Sequence, residues 1–404
     1  MNAENVVQKI LDTTIKITGL PTKNNAIGLH EPSFLNTNSL AYLKDCIDTG
    51  WVSSGGEWVN KFEEHLCRYT GASHAVAISN GTDALRLSLH VAGVKKGDEV
   101  LVPPISFVAT CNAIAHLGAS PHFIDVESET LGMSPIALSQ RLEKVAIWKG
   151  KEIYNKETGK RISAILPVHI FGHPSEICLL KKIAHNWNLP LIEDSAEALG
   201  SWRKIQGKFL HCGLFGDLGT LSFNGNKILT TGGGGAIITN NSILAEKAKH
   251  ISTTAKIPHK WEFDHDQIGW NDRLPNINAA LGVAQIEKIE ETLSKKRKLA
   301  ENYKKLFSDI HDVEILDEPK DTVSNFWLIT LRITNRDPKD VYSIRNQLLN
   351  KGYQIGLLLR PCWKPLHKLK PFLECPRGGL KVAEEQSMRL INLPSSPDLI
   401  NKKN

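Results

Sequence analysis

The chain has 404 residues, too many for one ordinary hydrophobic core, so we expect one large and one smaller domain. Its 41% hydrophobic and 23% charged residues are typical of a soluble globular protein, and its net charge of +6 hints at small anionic ligands without requiring nucleic acid. Seven scattered cysteines without a C-x-x-C pair indicate neither a zinc site nor a disulfide framework. We find no signal peptide and no run of about 20 apolar residues, so we expect a cytoplasmic protein without a membrane span.

We predict an N-terminal helix over residues 5–18. The first sign of an anion-binding site comes later, at residues 80–83. A short buried strand at residues 74–78 leads into N-G-T-D and then into a helix over residues 84–92. A strand, a Gly-Thr turn and a helix leave backbone N–H groups free to bind an anion, and phosphate is the occupant we expect. The alternative is a plain helix cap by Asn80 or Thr82, and both roles can hold at once.

Strands and helices alternate in the next hundred residues. We predict strands at residues 99–102, 121–125 and 162–168, with a helix beginning near residue 106. This alternation favours a mostly parallel sheet. The polar, basic segment 149–161 interrupts it and predicts a protruding hairpin or a flexible loop.

A hydrophobic strand at residues 189–194 ends in two carboxylates, Glu193 and Asp194. Ligands of open α/β sheets sit beyond the carboxyl ends of the strands, so an acid at this point is well placed for chemistry. The alternative interpretation of Asp194 is a helix N-cap.

The stretch from Leu221 to Ala236 reads L-S-F-N-G-N-K-I-L-T-T-G-G-G-G-A. Four consecutive glycines cost much chain entropy, so a fold keeps them where backbone approaches something closely or turns with positive φ. A nucleotide P-loop is excluded, because Lys227 precedes the glycines and a strand follows them. A lysine in a tight turn after Ser222 suggests a covalent partner; the alternative is a glycine-rich surface turn with an incidental lysine.

The C-terminal part predicts a small-residue helix over residues 277–289, a charged helix to about 306, a strand at 326–333, a helix at 341–351 and a strand at 356–360. We place the domains at residues 1–291, an N-terminal arm with the large domain, and 292–404, the small domain. We interpret the basic run at residues 294–298 as a solvated helix face. It lacks interleaved aromatic residues, so it does not indicate nucleic-acid binding.

Three of these features form one chemical set. Pyridoxal phosphate (PLP) needs N–H donors for its phosphate, a carboxylate for its ring nitrogen and a lysine for its aldehyde. The turn at residues 81–83, Asp194 and Lys227 supply these three groups. Phe107 can hold the ring flat from one side.

The chain resembles the DegT-type nucleotide-sugar aminotransferases, which are PLP enzymes of fold type I. The resemblance covers about residues 30–395 and is carried jointly by N-G-T-D-A-L (80–85), S-F-V-A-T (106–110), E-D-S-A-E-A-L-G (193–200), S-F-N-G-N-K (222–227), T-T-G-G-G-G (230–235) and G-W-N-D-R (269–273). It implies an α/β fold whose large domain has a mostly parallel, seven-stranded sheet flanked by helices, with a smaller C-terminal α+β domain.

The resemblance also implies a role for each matching residue. Lys227 bonds the aldehyde and later acts as general base and acid, Asp194 pairs with the ring nitrogen, and Phe107 stacks on the ring. Gly81, Thr82 and Ser222 hold the phosphate, and Asp83 is a further cofactor-binding residue. Asn271 reaches the phosphate in the neighbouring subunit's site, which implies an obligate homodimer. Sugar dehydratase relatives carry histidine in place of Lys227, so the lysine favours transamination.

Glu197 departs from the pattern, since many relatives have Gln or His near the cofactor's ring oxygen. A carboxylate there repels a phenolate, so we expect a raised pKa for Glu197 or a hydrogen-bond donor beside it.

Asn224 is a second departure, because relatives often have His there. These departures, the basic segment 149–161 and the segment R-P-C-W (360–363) together resemble a subgroup that aminates UDP-4-keto-6-deoxy-N-acetylglucosamine with L-glutamate, in bacillosamine and legionaminic acid pathways. Substrate candidates are Arg360, Trp363, His367 and the cations of segment 149–161, with a structural role for His367 equally open. The alternatives are an aminotransferase for another nucleotide keto-sugar (dTDP or GDP, at C3 or C4), a sugar 3-dehydratase, or a PLP-binding regulatory protein without catalysis.

Overall fold

The computed structural model describes residues 2–21 and 25–401. The α-helices are α1 (Ala3–Thr18), α2 (Ser39–Asp48), α3 (Glu57–Thr70), α4 (Gly81–Val91), α5 (Ala109–His116), α6 (Pro135–Val145), α7 (Ile177–Asn186), α8 (Ser242–Ser252), α9 (Asn276–Ile286), α10 (Ile289–Phe307), α11 (Pro338–Ile355) and α12 (Lys381–Arg389). The strands are β1 (His74–Ile78), β2 (Glu99–Val102), β3 (Ser120–Phe123), β4 (Ala146–Lys149), β5 (Glu152–Asn155), β6 (Arg161–Ile165), β7 (Ile192–Asp194), β8 (Trp202–Ile205), β9 (Lys208–His211), β10 (Leu218–Ser222), β11 (Gly235–Thr239), β12 (Lys256–Ile257), β13 (Asp264–His265), β14 (Val313–Ile315), β15 (Thr322–Val323), β16 (Ile329–Ile333), β17 (Arg360–Pro361) and β18 (Leu390–Leu393).

Seven of the described strands form the body of the main sheet, in the order β1-β11-β10-β7-β6-β2-β3, and the antiparallel strands β5 and β4 are attached to it at β6. Parallel bridges Ile165–Leu191 and Val168–Asp194 join the two halves of this sheet between β6 and β7. Only β11 among these seven runs antiparallel to its neighbours, β1 and β10. The prediction of a mostly parallel, seven-stranded sheet is therefore confirmed. Because six strands share one direction, their carboxyl ends meet at one edge, where ligands of such sheets bind.

A second, smaller sheet follows in the C-terminal part, with strand order β14-β16-β18-β17. Helices α10 and α11 cover it with buried Leu, Ile and Tyr side chains, and α1 packs into the same core through Val6, Val7 and Ile10. This agrees with the expected C-terminal α+β unit. The boundary at residue 292 stays a prediction, and we propose that α1 be counted with the C-terminal unit.

The predicted strand at residues 356–360 is wrong for most of its length. Helix α11 continues to Ile355, and Gly356 ends it in the left-handed conformation with φ 81°. Leu357 forms only a single parallel bridge, with Ile27, and pairing with β18 begins at Arg360. A glycine at this place is a helix C-cap, because it adopts positive φ without a steric cost.

Segment 149–161 contains a hairpin, with β4 pairing to β5 across a turn at residues 150–151. Buried Glu99, the first residue of β2, accepts hydrogen bonds from Asn155 and Thr158. Arg161 pairs with Asp98. The segment is thus anchored at the amino ends of β2 and β6, the edge of the sheet opposite to Asp194.

In the described ranges, we find no helix with the length and apolar character needed to cross a membrane.

Candidate active site

A cavity of about 1020 Å³ opens at the carboxyl ends of the main-sheet strands, and residues of the C-terminal unit close its other side. The sequence-predicted residues that line it are Gly81, Thr82, Phe107, Asp194, Glu197, Ser222, Lys227, Arg360 and Trp363. These residues come from segments far apart in the chain. The fold therefore brings most of the predicted site together.

The N-terminus of α4 forms one end of this cavity. Asn80 caps the helix, since its side chain accepts a hydrogen bond from the N–H of Asp83 at 2.9 Å. The amides of Gly81 and Thr82 precede the first intrahelical bond, which the N–H of Ala84 donates to the Asn80 carbonyl. Both residues line the cavity at the positive end of the helix, where anions bind.

Two glycines allow α4 to sit directly against the neighbouring strands. A Cβ on Gly81 would lie 2.8 Å from the Cβ of Ser222, and a Cβ on Gly235 would lie 2.6 Å from the Asn80 carbonyl carbon. The Ser222 hydroxyl thereby comes beside the first turn of α4. Gly235 is the last of the four consecutive glycines, so close backbone approach explains at least this part of the run.

Asp194 lies at the end of β7, buried in the floor of the cavity. Its carboxylate accepts a hydrogen bond from the Thr110 hydroxyl at 2.7 Å and one from the Ala196 N–H at 3.2 Å. Burial raises the pKa of Asp194 above its ordinary value, and these two donors oppose that rise. A cationic partner at the open side of the carboxylate would complete the compensation for its burial.

The preceding residue, Glu193, fixes the end of the strand from the other face. Its carboxylate accepts hydrogen bonds from the N–H groups of Gly213, Phe215 and Gly216, and it lies 2.9 Å from His169 Nε2. The N–H of Ser175 donates to His169 Nδ1 at 3.1 Å, so a neutral His169 carries its proton on Nε2 and donates it to Glu193. The two adjacent acids thus have different roles. Glu193 positions the strand, and Asp194 faces the cavity.

Lys227 points into the same cavity from the turn after β10. Its Nζ lies 3.6 Å from Glu197 Oε1 and 3.9 Å from the ring centroid of Trp327. Trp327 is itself held by a 2.7 Å hydrogen bond from its Nε1 to the carbonyl of Asn226. The lysine side chain is only 12% exposed, so its amine is confined between a carboxylate and an aromatic face.

Glu197 is buried beside Lys227. Burial raises its pKa to about 7, although Lys227 and the N–H of Phe171, which donates to Glu197 Oε2 at 2.8 Å, hold it down. The expected raised pKa is confirmed, and the expected donor is present as well. Near neutral pH this carboxyl exists in both protonation states.

Aromatic side chains form one wall. Phe107 is 52% exposed, and its ring centroid lies 6.3 Å from that of Trp363. Trp363 in turn stacks near Phe171 and Trp327, with centroids 5.2 and 6.4 Å away. A free aromatic face at Phe107 suits a flat ligand ring.

Three predicted residues do not line the cavity of this chain. Asp83 accepts hydrogen bonds from Ser79 and Asn80. Asn271 lies exposed on the surface, where Arg273 donates to it. His367 is buried behind the wall and lies 3.0 Å from Glu384. Their predicted roles stay predictions.

Sequence reasoning missed several residues that shape the cavity, namely Thr110, Asn226, Trp327 and Arg345. Thr110 ends the S-F-V-A-T motif, so its position was visible, although its bond to Asp194 was not. Trp327 and Arg345 belong to the C-terminal unit and reach Lys227's cavity only through tertiary packing. No local pattern signals such contacts.

These residues fit pyridoxal phosphate. The cradle at Gly81 and Ser222 leaves room and N–H donors for a phosphate, buried Asp194 offers a carboxylate for the ring nitrogen, and Lys227 offers an amine for the aldehyde. Phe107 supplies the stacking face.

Comparison with known proteins decides the family. The family model of the DegT/DnrJ/EryC1/StrS aminotransferases matches residues 34–404. The chain belongs to this family. It is therefore a PLP-dependent transferase of fold type I that acts on sugar nucleotides.

Two curated relatives and one solved structure illustrate the similarity. GDP-perosamine synthase of Escherichia coli O157:H7 is 35% identical over 377 residues, covering 93% of this chain and 95% of the relative. The putative pyridoxal phosphate-dependent aminotransferase EpsN of Bacillus subtilis (strain 168) is 35% identical over 336 residues, covering 83% and 81%. The crystal structure of a DegT DnrJ EryC1 StrS aminotransferase from Brucella abortus superposes with a TM-score of 0.78 at 28% identity, covering 89% and 90%.

Proposed function

We propose that this enzyme transfers the amino group of L-glutamate to C4 of a GDP-linked 4-keto-6-deoxyhexose. The observation that carries the GDP assignment is the full-length similarity to a GDP-perosamine synthase. The UDP-linked N-acetylhexosamine suggested by the sequence motifs is the second candidate, and its support is limited to those motifs.

We assign a residue of this chain to each reacting group. When bound, pyridoxal phosphate supplies an aldehyde carbon that carries the amino group between substrates and a ring that draws electron density from it. Asp194 holds a proton at the ring nitrogen, and Lys227 Nζ takes the proton from Cα of glutamate as a general base. In the reverse direction, Lys227 delivers a proton to the sugar carbon that receives the amine. Phe107 orients the ring.

The diphosphate of the sugar nucleotide needs cations near the mouth of the cavity. Arg360, Lys364 and Lys368 line the cavity and are exposed, so we assign them this role. Segment 149–161 does not contribute to the described lining, and its Arg161 is occupied by Asp98 at the opposite edge of the sheet. The prediction that the cations of segment 149–161 bind the substrate is therefore wrong for this chain's own cavity.

We also propose a homodimer in which Asn271 serves the partner's site. The support is its exposure outside its own cavity, close in sequence to Trp261, Phe263 and Ile268, which are 72%, 78% and 89% exposed. Large exposed apolar side chains of this kind are typical of an interface.

The substrate assignment is tested with a panel of GDP-, UDP- and dTDP-linked 4-keto-6-deoxy sugars, with L-glutamate as donor and mass spectrometry of the products. We expect the highest kcat/KM with the GDP-linked sugar and the amine at C4. A clear preference for the UDP-linked N-acetyl sugar would reverse the two candidates. The non-catalytic alternative fails if glutamate alone bleaches the visible absorption of the cofactor-loaded protein.

A further inference from the structure

Arg345 is a cavity residue with no assigned role. It lies in α11 of the C-terminal unit, and its side chain lines the same cavity as Lys227. A ping-pong aminotransferase must bind two different anions in one cavity: a small dicarboxylate donor and a much longer nucleotide sugar. The cationic groups of the wall can therefore be sorted by depth.

The guanidinium of Arg345 is poorly satisfied by the protein. Its Nε is buried and has no hydrogen-bond partner among the described residues, and its Nη1 lies 3.5 Å from the thioether sulfur of Met388, a weak acceptor. The described chain places no carboxylate within ion-pair distance of it. Leaving a buried charged donor unpaired costs more than leaving a neutral one, so such a group is retained where a ligand completes it.

The acids of the cavity wall already have other partners. Glu384 lies 3.0 Å from both His367 and Lys368 through its two oxygens. Asp194 is bonded by Thr110, and Glu197 by the N–H of Phe171. The anion that pairs with Arg345 must therefore come from outside this chain's described wall.

Arg345 lies deeper than the other cations of this wall. Arg360, Lys364 and Lys368 are exposed at the mouth, whereas Arg345 is only half-exposed and its Nε is fully buried. The buried Cys362 lines the same cavity as Arg345 and the Glu197–Lys227 pair.

We propose that Arg345 binds a carboxylate of the amino donor. A short dicarboxylate whose amine reaches Lys227 stays in the deep part of the cavity, while the diphosphate of a nucleotide sugar extends to the exposed cations. The planar guanidinium fork matches a carboxylate with two parallel hydrogen bonds. This inference rests on the proposed use of glutamate, but it does not depend on which sugar nucleotide is the acceptor.

The test separates the two half-reactions of Arg345→Gln. Stopped-flow loss of the visible cofactor band at increasing L-glutamate gives the donor affinity, and we expect it to weaken roughly 10- to 100-fold. Glutarate, a dicarboxylate without an amine, should lose affinity by a similar factor as a competitive inhibitor. The KM of the keto-sugar in the second half-reaction should stay within about 2-fold. Arg345→Lys, which keeps the charge but not the fork, should lie between the wild type and Arg345→Gln.

Lys339→Gln is the matched control, because Lys339 is an exposed cation at the start of the same helix, outside the cavity lining. It should behave like the wild type in both half-reactions. Thermal unfolding of all variants shows whether Arg345→Gln is folded; if it is not, Arg345→Lys carries the test. Unchanged glutamate and glutarate affinity, or a selective rise in the KM of the keto-sugar, overturns the inference. Failure of the wild type to aminate any keto-sugar would instead contradict the proposed function.

Discussion

At the scale of single residues, the charge on Asp194 depends on a few neighbours. Burial alone favours its neutral form, and the Thr110 hydroxyl is the only side-chain donor of the described chain that we find bonded to it. A neutral Asp194 cannot keep the cofactor's ring nitrogen protonated. We therefore expect the proposed role of Asp194 at the ring nitrogen to depend on the Thr110 hydroxyl behind it.

Thr110→Val should weaken cofactor binding and lower kcat, each by roughly 10-fold, because a hydrogen bond to a charged group is lost in a buried site. An absorption titration with PLP and steady-state kinetics measure the two effects. Thr110→Ser keeps the hydroxyl and should remain near wild type. Equal behaviour of the Val and Ser variants would show that the hydroxyl does not support Asp194.

The raised pKa of Glu197 predicts that the stability of the cofactor-free protein depends on pH. Between its ordinary pKa of 4.5 and the folded-state value of about 7, the folded protein holds a proton that the unfolded chain has released. The free energy of unfolding therefore falls as pH rises through this window, by about 3 kcal/mol relative to a variant without the carboxyl. Urea unfolding of the wild type and Glu197→Gln at pH 5, 6, 7 and 8 measures this difference.

A difference between these two proteins that is constant from pH 5 to 8 would contradict the raised pKa. With cofactor bound, Glu197→Gln should also change the visible absorption band and its pH dependence, because Glu197 is predicted to lie near the ring oxygen. An unchanged band would place Glu197 away from the ring.

At the scale of elements, the first turn of α4 and the end of β10 form one cradle. Gly81→Ala should reduce cofactor retention and cost about 1–3 kcal/mol of stability, because its Cβ would press on Ser222. Gly233→Ala is the control, since a Cβ there meets nothing within 4 Å. Cofactor content after gel filtration, together with thermal unfolding, distinguishes the two. Full cofactor retention by Gly81→Ala would show that the cradle can open without loss of the phosphate contact.

Elements with a local pattern were predictable, and those set by tertiary contacts were not. Strand β1 and the helix after it follow from an apolar run and a Gly-Thr turn, whereas the number of strands in the sheet followed only from the family resemblance. The reversed direction of β11 has no local signal. The prediction of a strand at residues 356–360 is wrong because Gly356 is the C-cap of α11 and not the start of a strand.

At the scale of the whole molecule, α10 connects the two cores. Its first turns pack Ile289 and Leu293 against the main-sheet core, and its later turns pack Tyr303 and Phe307 against the C-terminal core. Both units line the cavity, because Lys227 comes from one and Trp327 and Arg345 from the other. The motifs located the cofactor half of the site in sequence, whereas the half contributed by the C-terminal unit required the packed structure.

The proposed sharing of sites between subunits predicts complementation. Lys227→Ala and Asn271→Ala should each be inactive or nearly so, and mixed dimers should regain one complete site. After denaturation and joint refolding in equal amounts, activity should return to about a quarter of the wild-type value, since half of the dimers are mixed. Activity that stays at the sum of the separate variants would contradict the shared site.

The most direct test of the account is the covalent bond at Lys227. The protein is loaded with PLP, reduced with borohydride, digested and analysed by mass spectrometry. We expect a visible absorption band before reduction and one cofactor fixed per chain on the peptide that contains Lys227, with none fixed in Lys227→Ala. A colourless protein, or a cofactor fixed at another lysine, would contradict the central claim.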